Sequence, residues 1–243
     1  MISGPFNPPE SCGDCPIRHR AICSACDPDE LAVLETLKSY KTYAAGDTIV
    51  WAEETLTHLG SVVSGVASLN RTLDDGRCQV VGLLLPSDFI GRPDRASVAH
   101  DVVAATDVTL CRFEKPVFED LIRRSPALLR RLLTKTCDDL DAARDWMLLL
   151  GRKTAREKVA GFLSMLVQRA VQQNGHPAKD GVTLSIPLLR KDLANYIGLT
   201  VETTSRQFTQ LKQDGVIDLT SQKDIHIPDL AALFREAKEL GGD

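Results

Sequence analysis

The sequence is organised around one stretch, which reads Pro126-Ala-Leu-Leu-Arg-Arg-Leu-Leu-Thr-Lys-Thr-Cys-Asp-Asp-Leu-Asp-Ala-Ala-Arg-Asp-Trp-Met-Leu-Leu-Leu-Gly151. Pro126 suits the first turn of a helix, because its missing N–H would be unpaired there in any case. Ser125 can cap this end, and Gly151 can close the other. The stretch therefore predicts one long helix over residues 126–151.

Apolar residues recur along this helix in alternating steps of four and three, which is the spacing of a heptad seam. The seam consists of Leu129, Leu133, Thr136, Leu140, Ala143, Met147 and Leu150. It either faces the helix's own domain or pairs with the same helix of a second copy. We favour a parallel homodimer, in which the four aspartates between 138 and 145 would keep association weak enough to be regulated.

Length and composition limit the classes of protein to which the chain can belong. The 243 residues suffice for two domains with their own cores. The sequence has no apolar run of about 18 residues and no signal peptide, so we expect a cytoplasmic protein without a membrane partner. It also lacks a phosphate-binding glycine loop, a nucleophile elbow and a suggestive carboxylate pair, so we expect no enzyme. The net charge of −4 disfavours indiscriminate polyanion binding but leaves room for a local DNA-reading face.

The seven cysteines point to metal or redox chemistry, since disulfides are rare in the cytosol. Four of them fall within fifteen residues, at Cys12, Cys15, Cys23 and Cys26. Thiolates are soft ligands for zinc and for iron–sulfur clusters. Taken alone, the four local thiols suggest a small zinc knuckle. We interpret Cys78 and Cys137 as small buried apolar residues.

Residues 40–113 form short strand-like runs with a turn about every ten residues, which is typical of an all-β barrel or jelly roll. A short helix is expected before them, over Asp29–Ser39, and another after them, over 117–124. The predicted class is α+β. The predicted divisions are a cysteine-rich cluster-binding segment (1–28), a β-roll sensor domain (29–125), a dimerisation helix (126–151) and a winged helix-turn-helix domain (152–243).

Residues 189–215 fit a helix-turn-helix. Ala194 is small where the two helices cross, and Gly198 lies where the turn needs a positive φ. Thr200 can cap the second helix, whereas Thr204 occupies a position where an apolar residue is commoner. Strand-like runs over 216–219 and 225–227 predict a β-wing, followed by a last helix from Pro228 to residue 240.

Glu202, Ser205 and Arg206 share one face of the first two turns of the second helix, which is the part that enters the major groove. Arg206 can bind guanine O6 and N7 together, and Glu202 can accept from cytosine N4. Ser205 can meet a base edge or a phosphate. Between residues 190 and 224, five basic and five acidic residues cancel in charge. We therefore expect modest non-specific affinity for DNA and two recognition helices at each DNA site.

This order of β-roll, long helix and winged helix-turn-helix resembles the CRP/FNR family of bacterial transcription regulators over nearly the whole chain. Leu199-Thr-Val-Glu-Thr-Thr-Ser-Arg206 is similar to the FNR-type recognition helix, and Cys12-Gly-Asp-Cys15 to the FNR cluster motif. The chain most resembles the FNR-type anaerobic regulators of photosynthetic α-proteobacteria.

The resemblance implies an oxygen-labile [4Fe–4S] cluster held by Cys12, Cys15, Cys23 and Cys111, with Cys26 as the alternative to Cys23. It also implies a homodimer that reads palindromic TTGAT-type sites when the cluster is intact and that recruits RNA polymerase, with residues 72–77 as a candidate contact. The cyclic-nucleotide sensors of this family use a Gly-Glu pair and a later Arg followed by a small residue. Residues 88–100 lack that Glu and Arg95 comes too early, so we expect no cyclic nucleotide. The alternative is the same DNA reader with its cysteines acting as a zinc site or a thiol switch.

Overall fold

In a computed structural model of the chain, residues 8–174, 181–221 and 223–238 are described. The chain divides into two compact units, one ending at Ala142 and the other beginning at Ala143. Within the described ranges no helix combines the length and the apolarity that crossing a membrane requires.

The first unit opens with a 3-10 turn, Ile22–Ala25, and helix α1, Pro28–Leu37. Asp27 caps α1 by accepting the N–H of Glu30 at 2.8 Å, and the Glu30 carboxylate accepts the N–H of Asp27 at 3.1 Å. This reciprocal pair satisfies two amides that a helix start otherwise leaves unpaired. The predicted short helix is confirmed, shifted by one or two residues at its ends.

Eight strands follow, arranged in two four-stranded antiparallel sheets of order β1-β8-β3-β6 and β2-β7-β4-β5. They are β1 Ser39–Tyr43, β2 Thr48–Val50, β3 His58–Ser64, β4 Ala67–Thr72, β5 Cys78–Leu84, β6 Phe89–Ile90, β7 Asp101–Ala104 and β8 Val108–Glu114. This arrangement confirms the predicted β-roll.

Strand β8 is buried on both of its faces. Val108 and Leu110 belong to a core cluster that draws on strands of both sheets. Cys111 and Phe113 point the other way, into a second cluster that also contains residues of the cysteine segment, which we define as residues 12–26. The alternation of β8 therefore separates two cores, and it directs Cys111 towards the other cysteines.

Helices α2, Lys115–Arg124, and α3, Pro126–Arg152, complete this part of the chain. The hydroxyl of Ser125 accepts the N–H of Leu128 at 3.1 Å, as expected of the cap. Helix α3 runs one residue beyond the predicted end at Gly151.

Two cysteines contradict their interpretation as buried residues. Cys78 and Cys137 are both exposed. Cys78 begins the edge strand β5, and Cys137 lies on a part of α3 whose neighbouring side chains are also exposed.

The second unit carries the winged helix-turn-helix. Its elements are α4 Ala155–Asn174, β9 Val182–Ser185, α5 Arg190–Ile197, α6 Val201–Gln213, β10 Asp218–Leu219, β11 Asp224–Ile227 and α7 Leu230–Ala237. Strands β10, β11 and β9 form one small antiparallel sheet, so the predicted wing is confirmed with an additional strand. The predicted end of the last helix at residue 240 lies outside the described residues.

The turn between α5 and α6 follows the sequence prediction. Gly198 has φ +64°, the left-handed conformation that L side chains rarely adopt. The hydroxyl of Thr200 accepts the N–H of Thr203 at 3.1 Å and so caps α6. The turn fixes where α6 starts, and therefore which side chains its first two turns present.

Candidate functional site

Four cysteines line one cavity in the first unit. Cys12, Cys15 and Cys23 come from the cysteine segment, and Cys111 comes from β8. The rest of the wall is mainly apolar, formed by Ile17, Ala21, Ile22, Leu34, Tyr40, Ser61, Phe113 and Phe118. These cysteines are the four ligands that the family resemblance implies.

The cysteine segment is held in place by hydrogen bonds to its backbone. The backbone N–H of Cys12 donates to Glu35 Oε2 of α1 at 3.0 Å. Arg18 donates from Nη1 to the carbonyl of Cys23 at 2.7 Å and from Nη2 to that of Cys26 at 3.4 Å. One guanidinium therefore shapes the loop that presents Cys23.

Cys111 is presented differently, by the sheet. It lies opposite Tyr40 of β1 and opposite Ser61 of β3, so its strand is paired on both sides. Both opposing residues also line the cavity. A rigid strand thus supplies one sulfur, and a short loop supplies the other three.

Burial favours the protonated form of three of these thiols, Cys12, Cys23 and Cys111. It raises the pKa of Cys23 to about 11 and the pKa of Cys111 to about 12. Burial also raises the pKa of Cys12, against the opposing positive charge of Lys38. A cationic centre that binds these sulfurs must therefore displace their protons, as is usual for thiolate ligands.

Cys26 is buried but does not line the cavity, and burial raises its pKa to about 12. Cys23, and not Cys26, therefore lines the same cavity as the other three cysteines. In the described parts of the chain, no three His, Cys, Asp or Glu side chains are grouped so that they could hold one metal ion.

Most of the seam side chains of α3 are exposed. Leu129, Leu133, Leu140 and Met147 are 52%, 62%, 49% and 63% exposed. Thr136 and Ala143 are exposed as well, and Leu150 is partly buried. The helix instead buries Leu128, one position from Leu129, against the core of the first unit. The seam is therefore a ridge available to a partner.

Helix α6 has one buried and one exposed face. Thr204, Phe208 and Leu211 are buried in the second unit. The three predicted DNA-reading residues, Glu202, Ser205 and Arg206, are all exposed near the start of the helix. Their arrangement is that of a helix which inserts its first turns into a DNA groove.

Arg156 of α4 anchors the far end of α6. Its guanidinium donates from Nε to Glu236 Oε2 at 2.6 Å and from Nη2 to Glu236 Oε1 at 3.0 Å. Nη1 donates to Oδ2 of Asp214, the C-cap residue of α6, at 2.7 Å. Neither Arg156 nor Arg18 stands out in the sequence as a functional residue. In the sequence Arg156 is separated from its partners by 58 and 80 residues, so no local pattern indicates these pairs.

Two families match this chain. Residues 157–236 match the Crp-like helix-turn-helix domain, and residues 40–125 match the cyclic nucleotide-binding domain. The first covers the DNA-reading unit described above, and the second covers the two sheets and α2.

The chain is similar to individual regulators over most of its length. It is 50% identical over 226 residues to the transcriptional activator protein FnrL of Cereibacter sphaeroides, covering 93% of this chain and 91% of FnrL. It is 41% identical to the nitrogen fixation regulation protein FixK of Bradyrhizobium diazoefficiens, covering 85% of each. The solved structure of FixK2 from Bradyrhizobium japonicum superposes with a TM-score of 0.75 at 27% identity, covering 84% of this chain and all of that one.

Proposed function

The chain belongs to the CRP/FNR family of transcription regulators, and from that premise we propose that it is an oxygen-responsive activator. In this proposal the protein acts in the cytoplasm as a homodimer on palindromic TTGAT-type DNA sites. It does so while Cys12, Cys15, Cys23 and Cys111 hold a [4Fe–4S] cluster.

The observation that carries the proposal is the convergence of these four cysteines on one cavity. The donor set suits the cluster, because thiolate sulfur is the usual ligand of iron–sulfur centres. The apolar wall suits it too, since exposure to solvent and hydrogen bonds to sulfur govern the properties of such centres. When bound, the cluster supplies a centre that oxygen destroys.

The zinc alternative uses a different set of cysteines. A structural zinc ion draws four ligands into a tetrahedron, which places sulfurs about 4 Å from one another. The local set needed for a zinc knuckle includes Cys26, which does not line the cavity. A [4Fe–4S] cluster is held by four cysteine thiolates, which is the number of cysteines that line the cavity.

The protein's own part in the switch is mechanical. While the four cysteines share one ligand, they fix the cysteine segment to β8. Leu128 and Leu132 of α3 lie in the same core cluster as that segment. Release of the segment would loosen support for α3 and weaken pairing of the seam.

Selective DNA binding then depends on dimerisation through α3. Two copies of α6 about 34 Å apart, one turn of DNA, match a palindrome with two half-sites. Glu202, Ser205 and Arg206 match the family pattern that reads TTGAT-type half-sites. RNA polymerase is the proposed partner for activation, with residues 72–77 as a candidate contact, and the expected lack of cyclic-nucleotide binding stays a prediction.

Anaerobic purification tests the cofactor. We expect a coloured protein with about four iron and four acid-labile sulfide per chain, which bleaches in air and loses selective binding to a palindromic site. Cys111→Ser should retain the fold and lose the iron. Cys26→Ser is the matched control, because it removes an equally buried thiol that does not line the cavity.

Two results would contradict the proposal. A colourless protein with one zinc per chain would replace the cluster by the zinc alternative. Loss of iron in Cys26→Ser together with its retention in Cys111→Ser would show that the proposed ligand set is wrong.

A further inference from the structure

A hydrogen bond joins α3 to the loop between two of the proposed ligands. Nη2 of Arg131 donates to the carbonyl oxygen of Arg20 at 2.7 Å, in a partly buried position. Arg20 lies between Cys15 and Cys23. This contact connects the helix directly to the backbone that presents Cys23.

Apolar side chains around this hydrogen bond also join the loop to α3. Ile17, Ala21 and Ile22 of the loop are buried in one cluster with Leu128, and Leu132 packs against that cluster. On a helix, residues 128, 131, 132 and 135 share one face through steps of three and four. Seam residues Leu129 and Leu133 lie on the adjoining face of the same two turns. Any shift of the loop therefore acts on α3 beside the seam.

An ion pair joins the same face of α3 to the β-roll. Nζ of Lys135 donates to Asp88 Oδ1 at 2.7 Å, and the other carboxylate oxygen of Asp88 accepts the N–H of Leu85 at 2.9 Å. Asp88 is in the turn between β5 and β6, away from the cysteine segment in sequence. Lys135 thus holds α3 to the sheets, whereas Arg131 holds it to the cysteine loop.

The environment of Arg131 makes its bond to the loop sensitive to the loop's position. Its Nε is buried without a hydrogen-bond partner among the described residues. A buried donor that loses its acceptor is costly, and more so when it carries charge. A displacement of the Arg20 carbonyl would take the acceptor from a second, partly buried guanidinium nitrogen unless the helix moved as well.

We infer that Arg131 is the positioning residue that couples the cysteine segment to dimerisation through α3. The inference rests on the proposed function and deepens it, because it names the side chain through which occupancy of the cysteines reaches the seam. Arg131 does not line the cavity, and it is not one of the seam residues. Its proposed role is therefore to link the cysteine segment to α3, and not to bind the cluster or the partner copy.

The test compares how strongly cluster loading changes dimerisation in three variants of the full chain. Arg131→Gln removes the charge and shortens the donor, Arg131→Lys keeps the charge, and Arg130→Gln makes the same change on the exposed neighbour. The dimer dissociation constant is measured by anaerobic sedimentation for cluster-loaded and metal-free protein, and iron and sulfide are counted in each sample. The ratio of the two constants measures the coupling.

We expect Arg131→Gln to bind the cluster at the wild-type level while its ratio falls at least tenfold towards one. Arg131→Lys should fall between Arg131→Gln and the wild type, and Arg130→Gln should match the wild type. An Arg131→Gln protein with the wild-type ratio, or one that loses the cluster, overturns the inference alone. A wild-type protein that takes up no cluster, or whose cluster leaves dimerisation unchanged, overturns the proposed function and this inference with it.

Discussion

The indole of Trp146 stacks on the ring of Tyr196, with the two centroids 4.2 Å apart and the planes 17° from parallel. Trp146 belongs to the last turns of α3, and Tyr196 belongs to α5 of the helix-turn-helix. Phe162 of α4 meets Tyr196 edge-on at 6.1 Å. The end of α3 is therefore part of the DNA-reading unit, fastened to it by aromatic contacts.

We expect this stack to stabilise the second unit measurably. A double-mutant cycle of Trp146→Leu and Tyr196→Leu should give a coupling free energy of about 1 kcal/mol, which is usual for a close aromatic pair. Urea unfolding followed by circular dichroism measures it. Additive effects of the two substitutions would mean that the rings contribute only their separate burial.

Two glycines should respond in opposite directions to the same substitution. Gly198→Ala should lower stability by about 1–2 kcal/mol, because an L residue is strained at φ +64°. Gly151→Ala should raise it by about 0.5–1 kcal/mol, because Gly151 lies in a helix with open space at its Cβ position. Thermal unfolding compares the two. A neutral Gly198→Ala would show that the turn has another accessible conformation.

Thr204 is fully buried, and its hydroxyl has no hydrogen-bond partner among the described residues. Thr204→Val removes this unpaired group and keeps the branched shape, so we expect a gain of about 1 kcal/mol in the free energy of unfolding. Thr209→Val, on the exposed side of the same helix, should change little. A loss of stability in Thr204→Val would mean that the hydroxyl is hydrogen-bonded, for example through water.

Arg206→Ala should reduce selectivity at one base position of each half-site. The expected loss is about 1–3 kcal/mol against the preferred base, with a smaller effect on DNA that lacks it. Binding to a panel of palindromes, each altered at one position, measures it at fixed salt. An equal loss on every sequence would assign Arg206 to a phosphate instead.

Leu133→Glu should raise the dimer dissociation constant by about a hundredfold or more, since each copy loses roughly 1.5 kcal/mol or more of apolar burial. The fold of each copy should survive, because Leu133 is already 62% exposed. Thr134→Glu adds the same charge one position off the seam and should leave the constant within a few-fold. Equal dimerisation of both variants would place the interface elsewhere.

Features that depend on neighbours in sequence were accessible to prediction. The capping of α3 by Ser125, the positive φ of Gly198 and the cap at Thr200 each follow from the backbone needs of one turn. The family resemblance drawn from the cysteine and helix motifs is confirmed by the 50% identity to FnrL.

Features that depend on residues distant in sequence were not accessible. The cysteine spacing alone left Cys23 and Cys26 as alternatives, because which of them lines the cavity depends on how the cysteine segment packs against strands distant in sequence. The heptad pattern likewise could not say which face of α3 meets its own domain. Cys78 and Cys137 were wrongly predicted to be buried. The local sequence does not indicate that β5 lies at the edge of its sheet or that this part of α3 is exposed.

Helix α3 keeps two different surfaces only one residue apart, since Leu128 is fully buried while Leu129 is half exposed. Each residue advances an α-helix by about 100°, so one residue inserted between Leu133 and Leu140 would carry Leu140 and Met147 out of line with Leu129. Insertion of seven residues would restore the line to within about 20°. Insertion of eleven residues would do the same, so an engineered ladder of insertions should show dimerisation returning at about seven and about eleven residues and failing at one.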